Sequence, residues 1–152
     1  MLKRKLTEMR CDELERAIPE ETDAIRLSEF ITGNDCQDAK EFYQEVTRGK
    51  SLVHKTHPTE PDMELVIPVD VSPEQYLERY DRITQRWLGM KRAALDRLAD
   101  LHVGALESLM HRPCGYEMDF QIRKKIWDRC PGLRAEIRKD ARQFAKDKLG
   151  LS

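Results

Sequence analysis

Two short stretches of the sequence carry side chains that bind metals. His54 and His57 are separated by two residues, and so are His111 and Cys114. Imidazole nitrogens and thiolates are ligands that zinc prefers, and four of them complete a tetrahedral site. The four residues therefore raise the hypothesis of a zinc site in a metal-dependent enzyme. Neither stretch matches a common zinc signature, so a protein without a cofactor is the favoured interpretation.

Basic side chains are concentrated towards the C-terminal end of the sequence, where four of them recur at every fourth position of a predicted helix. Like charges at this spacing repel one another, so the stripe is not there to stabilise the helix. It is typical of a surface that neutralises phosphates or meets an acidic protein surface, although it is also compatible with a solvated face. The basic residues are Arg123, Lys124, Lys125, Arg134, Arg138, Lys139, Arg142 and Lys146.

The charge is unevenly distributed along the chain, although the net charge is only -1. Residues 1–72 contain 10 Lys and Arg against 16 Asp and Glu, which gives -6. Residues 119–152 contain 10 against 5, which gives +5. The uneven charge is therefore either a consequence of solvated faces or a sign that the two ends meet different partners. In the second case the basic stripe meets an acidic surface, of the N-terminal half of this chain or of a protein partner, or binds nucleic acid.

Catalytic motifs are not apparent in the sequence. A nucleotide-binding glycine loop, a nucleophile elbow and a zinc-protease motif are all missing. His102 and Lys91 fall within an apolar helical face, where a catalytic base is one interpretation. The favoured interpretation is a hydrogen-bonded core histidine, and a lysine that extends its amine to solvent. Whether the protein is an enzyme stays open, and a non-enzymatic role is favoured.

The element that must position all these residues is a long predicted helix between Ser72 and Arg112. Ser72 is a good N-cap, and Pro73 suits the first helical position. Apolar residues then recur at steps of three or four. They are Tyr76, Tyr80, Ile83, Trp87, Met90, Ala94, Leu98, Leu101, Ala105 and Leu109.

The length of this helix exceeds what a compact domain accommodates. At about 1.5 Å per residue it would extend for roughly 58 Å, whereas a domain of this size is only about 40 Å across. Either the helix breaks, at Gly89 or Gly104, or its end protrudes and needs a partner. The second alternative predicts a homodimer in which Trp87 and Met90 are covered by a second copy.

The remaining sequence predicts a single helical domain, residues 1–152, that is mainly α. Residues 1–50 contain an acidic segment of three amphipathic helices, and residues 51–71 form a two-stranded hairpin or an extended segment. The central helix occupies 72–112, and a basic helical pair occupies 119–150. The fold class is therefore about six helices around one long central helix, with a small two-stranded β-hairpin.

The compartment and the class of function follow from composition. The sequence contains no apolar run long enough for a membrane span, and its four cysteines are widely separated, as in a cytoplasmic protein with reduced thiols. The favoured function is that of a helical adaptor, regulator or inhibitor that binds a protein partner. A nucleic-acid-binding regulator is the alternative, and a metal-dependent enzyme ranks third.

Overall fold

The structure is a computed structural model that describes residues 3–112 and 114–150, and their side chains except those of Tyr116, Phe144, Lys148 and Leu149. Within these residues lie seven α-helices and one antiparallel pair of strands, which confirms the predicted mainly helical fold. The elements are α1 (Cys11–Ala17), α2 (Ala24–Thr32), α3 (Gln37–Thr47), β1 (Leu52–Thr56), β2 (Glu64–Pro68), α4 (Pro73–Leu101), α5 (Leu106–Met110), α6 (Tyr116–Arg129) and α7 (Arg134–Leu149).

The long central helix begins where the sequence predicts and ends earlier. The Ser72 hydroxyl accepts a hydrogen bond from the Gln75 N–H, and Pro73 is the first helical residue. The helix ends at Leu101 and does not reach Arg112. The chain then makes a short 3-10 turn that contains Gly104, one of the two predicted break points, and α5 folds back so that Leu106 is buried. Gly89 lies inside the continuous helix.

Two further helices begin at residues other than those predicted. The predicted first helix is interrupted at Arg10, because the Glu13 carboxylate accepts the Arg10 N–H and the Asp38 carboxylate accepts the Cys11 N–H at 2.7 Å. The C-terminal pair begins at Tyr116 and not at Asp119. The Asp119 carboxylate instead accepts the Cys114 N–H at 3.0 Å, which ties the first turn of α6 to the preceding loop.

The core has two parts, both built on α4. The C-terminal half of α4 packs into the main core, where Leu95 and Leu98 meet apolar residues of α1, α2, α5 and α6. The N-terminal half covers a smaller cluster in which Tyr76 packs against Phe42 of α3 and Ile67 of β2. Because α4 serves both cores, it holds the hairpin and α3 beside the helical body. Within the described residues, no helix has the length and apolarity needed to cross a membrane.

Candidate functional site

A cleft in the described structure lies between α3, the hairpin and α4, and its volume is about 600 Å³. We call it the tyrosine cleft. Its aromatic and apolar lining consists of Tyr43, Met63, Leu65, Tyr76, Leu77 and Tyr80. This volume lies within the range of about 300–1,000 Å³ that is typical of ligand-binding pockets.

The elements around the cleft place these side chains by ordinary helical and strand periodicity. Tyr76 and Tyr80 are four residues apart on α4, so both rings lie on the face that looks towards the hairpin. Their ring centres are 6.0 Å apart and the rings are inclined by 18°. Tyr76 also stacks on Phe42, at 5.3 Å between ring centres, and this contact holds its ring in place.

The tyrosine hydroxyl groups give the cleft its polar chemistry. Tyr43 donates a hydrogen bond to the Val66 carbonyl oxygen at 2.9 Å, which ties α3 to β2. Burial, with smaller contributions from Tyr80 and Tyr43, raises the pKa of Tyr76 to about 12, so this hydroxyl stays protonated at neutral pH and keeps its donor. Among the described residues, the hydroxyls of Tyr76 and Tyr80 have no hydrogen-bond partner.

The rim of the cleft is exposed and chemically mixed. Met63 is 51% exposed and Tyr43 is 36% exposed, so apolar surface remains open to solvent. Lys40 lies on the same rim and forms an ion pair with Asp35 at 3.0 Å, while Asp81 lines the cleft from α4. A surface of this kind, with adaptable methionine and amphipathic tyrosine, suits a partner that brings both apolar groups and hydrogen-bond acceptors.

The predicted metal ligands do not come together. His54 lies on β1, whereas His57 lies just after that strand at the start of the hairpin loop. His54 pairs with Glu64 at 2.9 Å, whereas Nδ1 of His57 accepts the Glu60 N–H at 3.0 Å. Among the described residues, no three His, Cys, Asp or Glu side chains form a group that could hold a metal ion.

The other two predicted zinc ligands, His111 and Cys114, lie in different environments. His111 is exposed, whereas Cys114 is buried in the main core with its thiol donating to the Arg112 carbonyl oxygen at 3.3 Å. Burial raises the pKa of the Cys114 thiol, with a smaller contribution from Asp119, so the thiolate form is disfavoured. Cys114 therefore behaves as a small core residue.

Half of the predicted basic surface is engaged within the protein. Arg123 pairs with Asp140 at 2.6 Å and Lys125 pairs with Asp96 at 2.5 Å. Arg134 donates to the Trp127 carbonyl oxygen at 2.9 Å, and the guanidinium groups of Arg134 and Arg138 both lie over the Trp127 ring. The Lys125 pair joins α6 to α4, and the other contacts join α6 to α7. The exposed members of the predicted set are Lys124, Arg138, Lys139, Arg142 and Lys146, and of these only Arg138 lies over Trp127.

The residues predicted for self-association belong to the edge of the main core. Trp87 and Met90 are half-buried and pack against it. The Trp87 ring is also covered by Lys91, whose ammonium nitrogen lies 4.0 Å from the ring centre. Part of the apolar surface predicted for a second copy is thus used inside the monomer. No finding tests the homodimer, which stays a prediction.

Lys91 itself differs from its favoured interpretation. It is only 1% exposed and donates a hydrogen bond to the Gly33 carbonyl oxygen, so its amine does not reach solvent. Burial lowers the pKa of Lys91 to about 8, although the nearby thiols of Cys114 and Cys36 act in the opposite direction. His102 differs as well, since it is exposed and lies 3.3 Å from the Thr22 carbonyl oxygen.

The tyrosine cleft is not evident from the sequence. The positions of Tyr76 and Tyr80 predict a continuous core stripe, because their four-residue spacing is also that of a buried helical face. The signal that could have revealed the cleft is the amino-acid type of these two residues. Tyrosine has an apolar ring and a polar hydroxyl, so two tyrosines near the N-terminal end of α4 suit a surface that is partly apolar and partly hydrated. Comparison of the chain with protein-family models, curated proteins and solved structures finds no match.

Proposed function

We propose that this is a non-enzymatic protein that binds a segment of a partner protein in the tyrosine cleft. The observation that carries the proposal is the combination of partly exposed Met63 with Tyr76 and Tyr80, whose hydroxyls have no partner among the described residues. Tyrosine and methionine are enriched at the centres of protein interfaces, and tyrosine is among the residues that contribute most to binding. The lining offers apolar contact area and hydrogen-bond donors.

The cytoplasm is the compartment that we infer for this activity. All four cysteines are free, and Cys11, Cys36 and Cys114 are buried. Burial raises the pKa of all three thiols, and that of Cys11 reaches about 12. Free thiols kept for packing suit a reducing compartment, where disulfides rarely form.

The test begins with capture of partners from the native cell, with and without nuclease, followed by purification of the captured protein. Its affinity is then measured against Tyr80→Ala and Met63→Ser, which truncate the lining. We expect each variant to weaken binding by about tenfold or more, as is usual for central interface residues. Tyr80→Phe separates the contribution of the hydroxyl from that of the ring.

Ile25→Ser provides the matched control, because Ile25 is an exposed apolar residue of α2 that does not line the cleft. It should leave the affinity within about twofold of the wild-type value. Equal losses in Ile25→Ser and in the cleft variants would count against the tyrosine cleft. Capture that disappears with nuclease would instead favour the nucleic-acid-binding alternative.

A further inference from the structure

We propose that the free edge of β1 binds an extended, basic segment of a partner protein as a third strand of the sheet. The sheet contains only β1 and β2 within the described residues, so β1 has one edge without a strand beside it. This surface is distinct from the tyrosine cleft, which the hairpin borders through His57, Met63 and Leu65. The proposal therefore goes beyond the proposed function and does not depend on it.

The hydrogen-bond pattern of the hairpin determines which backbone groups of β1 face outward. The His57 N–H donates to the Met63 carbonyl oxygen at 3.1 Å, which makes these two residues a hydrogen-bonded pair in the antiparallel register. Since bonded and non-bonded pairs alternate, the N–H and C=O groups of Leu52, His54 and Thr56 point away from β2. Another extended backbone offers the complementary row of acceptors and donors.

The edge lacks three of the devices by which sheets prevent such pairing, namely a proline, a bulge and an outward lysine, although it is short and carries an inward lysine. β1 pairs one-to-one with β2 over five residues and contains no proline. Its lysine, Lys55, turns inward and donates to the carbonyl oxygens of Val69 at 2.8 Å and Val71 at 2.7 Å.

The outer face of the sheet indicates which side chains an added strand would bring. Leu52 is 41% exposed and Val66 is 37% exposed, so an apolar side chain opposite Leu52 would gain a cross-strand contact. Glu64 pairs with His54 and Asp70 pairs with Lys50, whereas Glu60 and Asp62 are exposed on the hairpin loop at the end of this edge and form no ion pair among the described residues. These two loop carboxylates favour a segment that carries lysine or arginine.

A second copy of the chain is a poorer occupant of the same edge. Two copies of β1 would bring two acidic hairpins together, and their like charges would repel.

The experiment uses a displayed library of random peptides selected on the full chain, after which the enriched peptides are synthesised. We expect the enriched peptides to be basic and to carry apolar residues at every second position. When bound, they should slow amide hydrogen exchange at Leu52, His54 and Thr56. N-methylation of the peptide positions that face β1 should abolish binding, whereas N-methylation of the intervening positions should leave it intact.

Thr56→Pro and Thr56→Val provide the matched protein variants. Proline removes an N–H that faces away from β2, so the hairpin should survive, as shown by unchanged exchange at the His57 amide. We expect Thr56→Pro to bind the enriched peptides about tenfold more weakly or worse, and Thr56→Val to bind like wild type.

Three outcomes would overturn the proposal. The first is a library that yields no binder, or binders that protect the tyrosine cleft and leave the β1 amides unchanged. The second is equal binding by Thr56→Pro with an intact hairpin. The third is concentration-dependent protection of the β1 amides without any peptide, which would assign the edge to a second copy.

Discussion

The ammonium nitrogen of Lys91 lies 4.0 Å from the centre of the Trp87 ring, one turn earlier on α4, and donates a hydrogen bond to the Gly33 carbonyl oxygen. A lysine buried to this degree normally pairs with a carboxylate, because an isolated charge is costly to remove from water. Here the ring of Trp87 and the carbonyl oxygen of Gly33 contact the ammonium group instead of a carboxylate. Such cation–π contacts strengthen when they are desolvated. Lys91 therefore connects α4 to the end of α2.

The first prediction concerns the pH dependence of stability. Burial lowers the pKa of Lys91 from 10.5 to about 8 in the folded protein. Between these two values the unfolded chain binds more protons at this residue, so the contribution of Lys91 to stability rises with pH across the window. Below about pH 8 Lys91 is charged in the folded protein, and burial of that charge lowers the stability by its full amount. At about 1.4 kcal/mol per pKa unit this loss is on the order of 3 kcal/mol.

Lys91→Met tests this linkage, since it keeps the chain length and removes the charge. It also leaves the Gly33 carbonyl without this donor, which costs about 1–3 kcal/mol. The quantity to compare is the free energy of unfolding of Lys91→Met minus that of the wild type. We expect this difference to be largest near pH 7 and to fall towards pH 10. The raised pKa values of the buried thiols of Cys36 and Cys114 act oppositely above about pH 9 in both proteins. The Lys91 charge lowers both thiol pKa values, so its removal in Lys91→Met adds to the expected fall in the stability of the variant at high pH. A difference that is independent of pH in urea titrations would contradict the prediction.

The contrast between Lys91 and the rest of α4 shows how far the sequence predicts the structure. The helix start at Ser72, the burial of Leu95 and Leu98, and the helical class follow from local patterns of capping and periodicity. The environment of Lys91 depends on Gly33, which is far away in sequence, so no local pattern reveals it. The tyrosine cleft likewise exists because three separate elements converge.

The second prediction compares two glycines that differ in backbone conformation. Gly89 lies inside α4, and an added Cβ would meet only Arg92 Nη2, at 3.8 Å, an ordinary contact. Gly89→Ala should therefore stabilise the protein by about 0.5–1 kcal/mol, through helix propensity. Gly115 has φ of +88°, which alanine adopts only with strain, so Gly115→Ala should destabilise. Thermal unfolding of both variants measures the two effects, and destabilisation by Gly89→Ala would indicate a bend at that residue.

The third prediction concerns the main core. Leu98 is fully buried among residues of several helices, so Leu98→Ala should lower the free energy of unfolding by about 2–5 kcal/mol. Ile25→Ala is the control, because Ile25 is 69% exposed, and it should change stability by no more than about 0.5 kcal/mol. Denaturant titration measures both. A loss below about 1 kcal/mol in Leu98→Ala would mean that the C-terminal half of α4 is not at the centre of the core.

The fourth prediction concerns self-association through Trp87 and Met90. If a second copy covers these residues, light scattering at roughly tens of micromolar should give twice the mass of one chain. Met90→Lys should then shift the protein to the monomer, whereas Ile25→Lys, at an exposed site on α2, should not. A monomeric mass for the wild-type protein would rule out this dimer. Unfolding curves of both variants distinguish dissociation from loss of fold.

The last prediction decides between a protein partner and nucleic acid for the basic C-terminal helices. Arg123, Lys125 and Arg134 have polar contacts within the protein, and Arg138 lies over Trp127. Removing these residues would disturb the packing of α6 and α7 as well as any ligand, so they do not give a clean test. Lys139, Arg142 and Lys146 are exposed, and glutamine at these three positions should leave thermal stability almost unchanged.

We expect only weak binding of short duplex DNA at physiological salt. Each phosphate contact contributes about -0.9 to the slope of log affinity against log salt, so the four exposed basic residues that lie away from Trp127 allow a slope of only about -3.6. If DNA does bind, the triple variant should flatten that slope by about 2.7. If the helices instead meet an acidic protein surface, the triple variant should lose that partner and show no change with DNA. A sub-micromolar, salt-sensitive complex with duplex DNA would reverse the ranking, because α6 and α7 would then supply more phosphate contacts than their exposed residues provide.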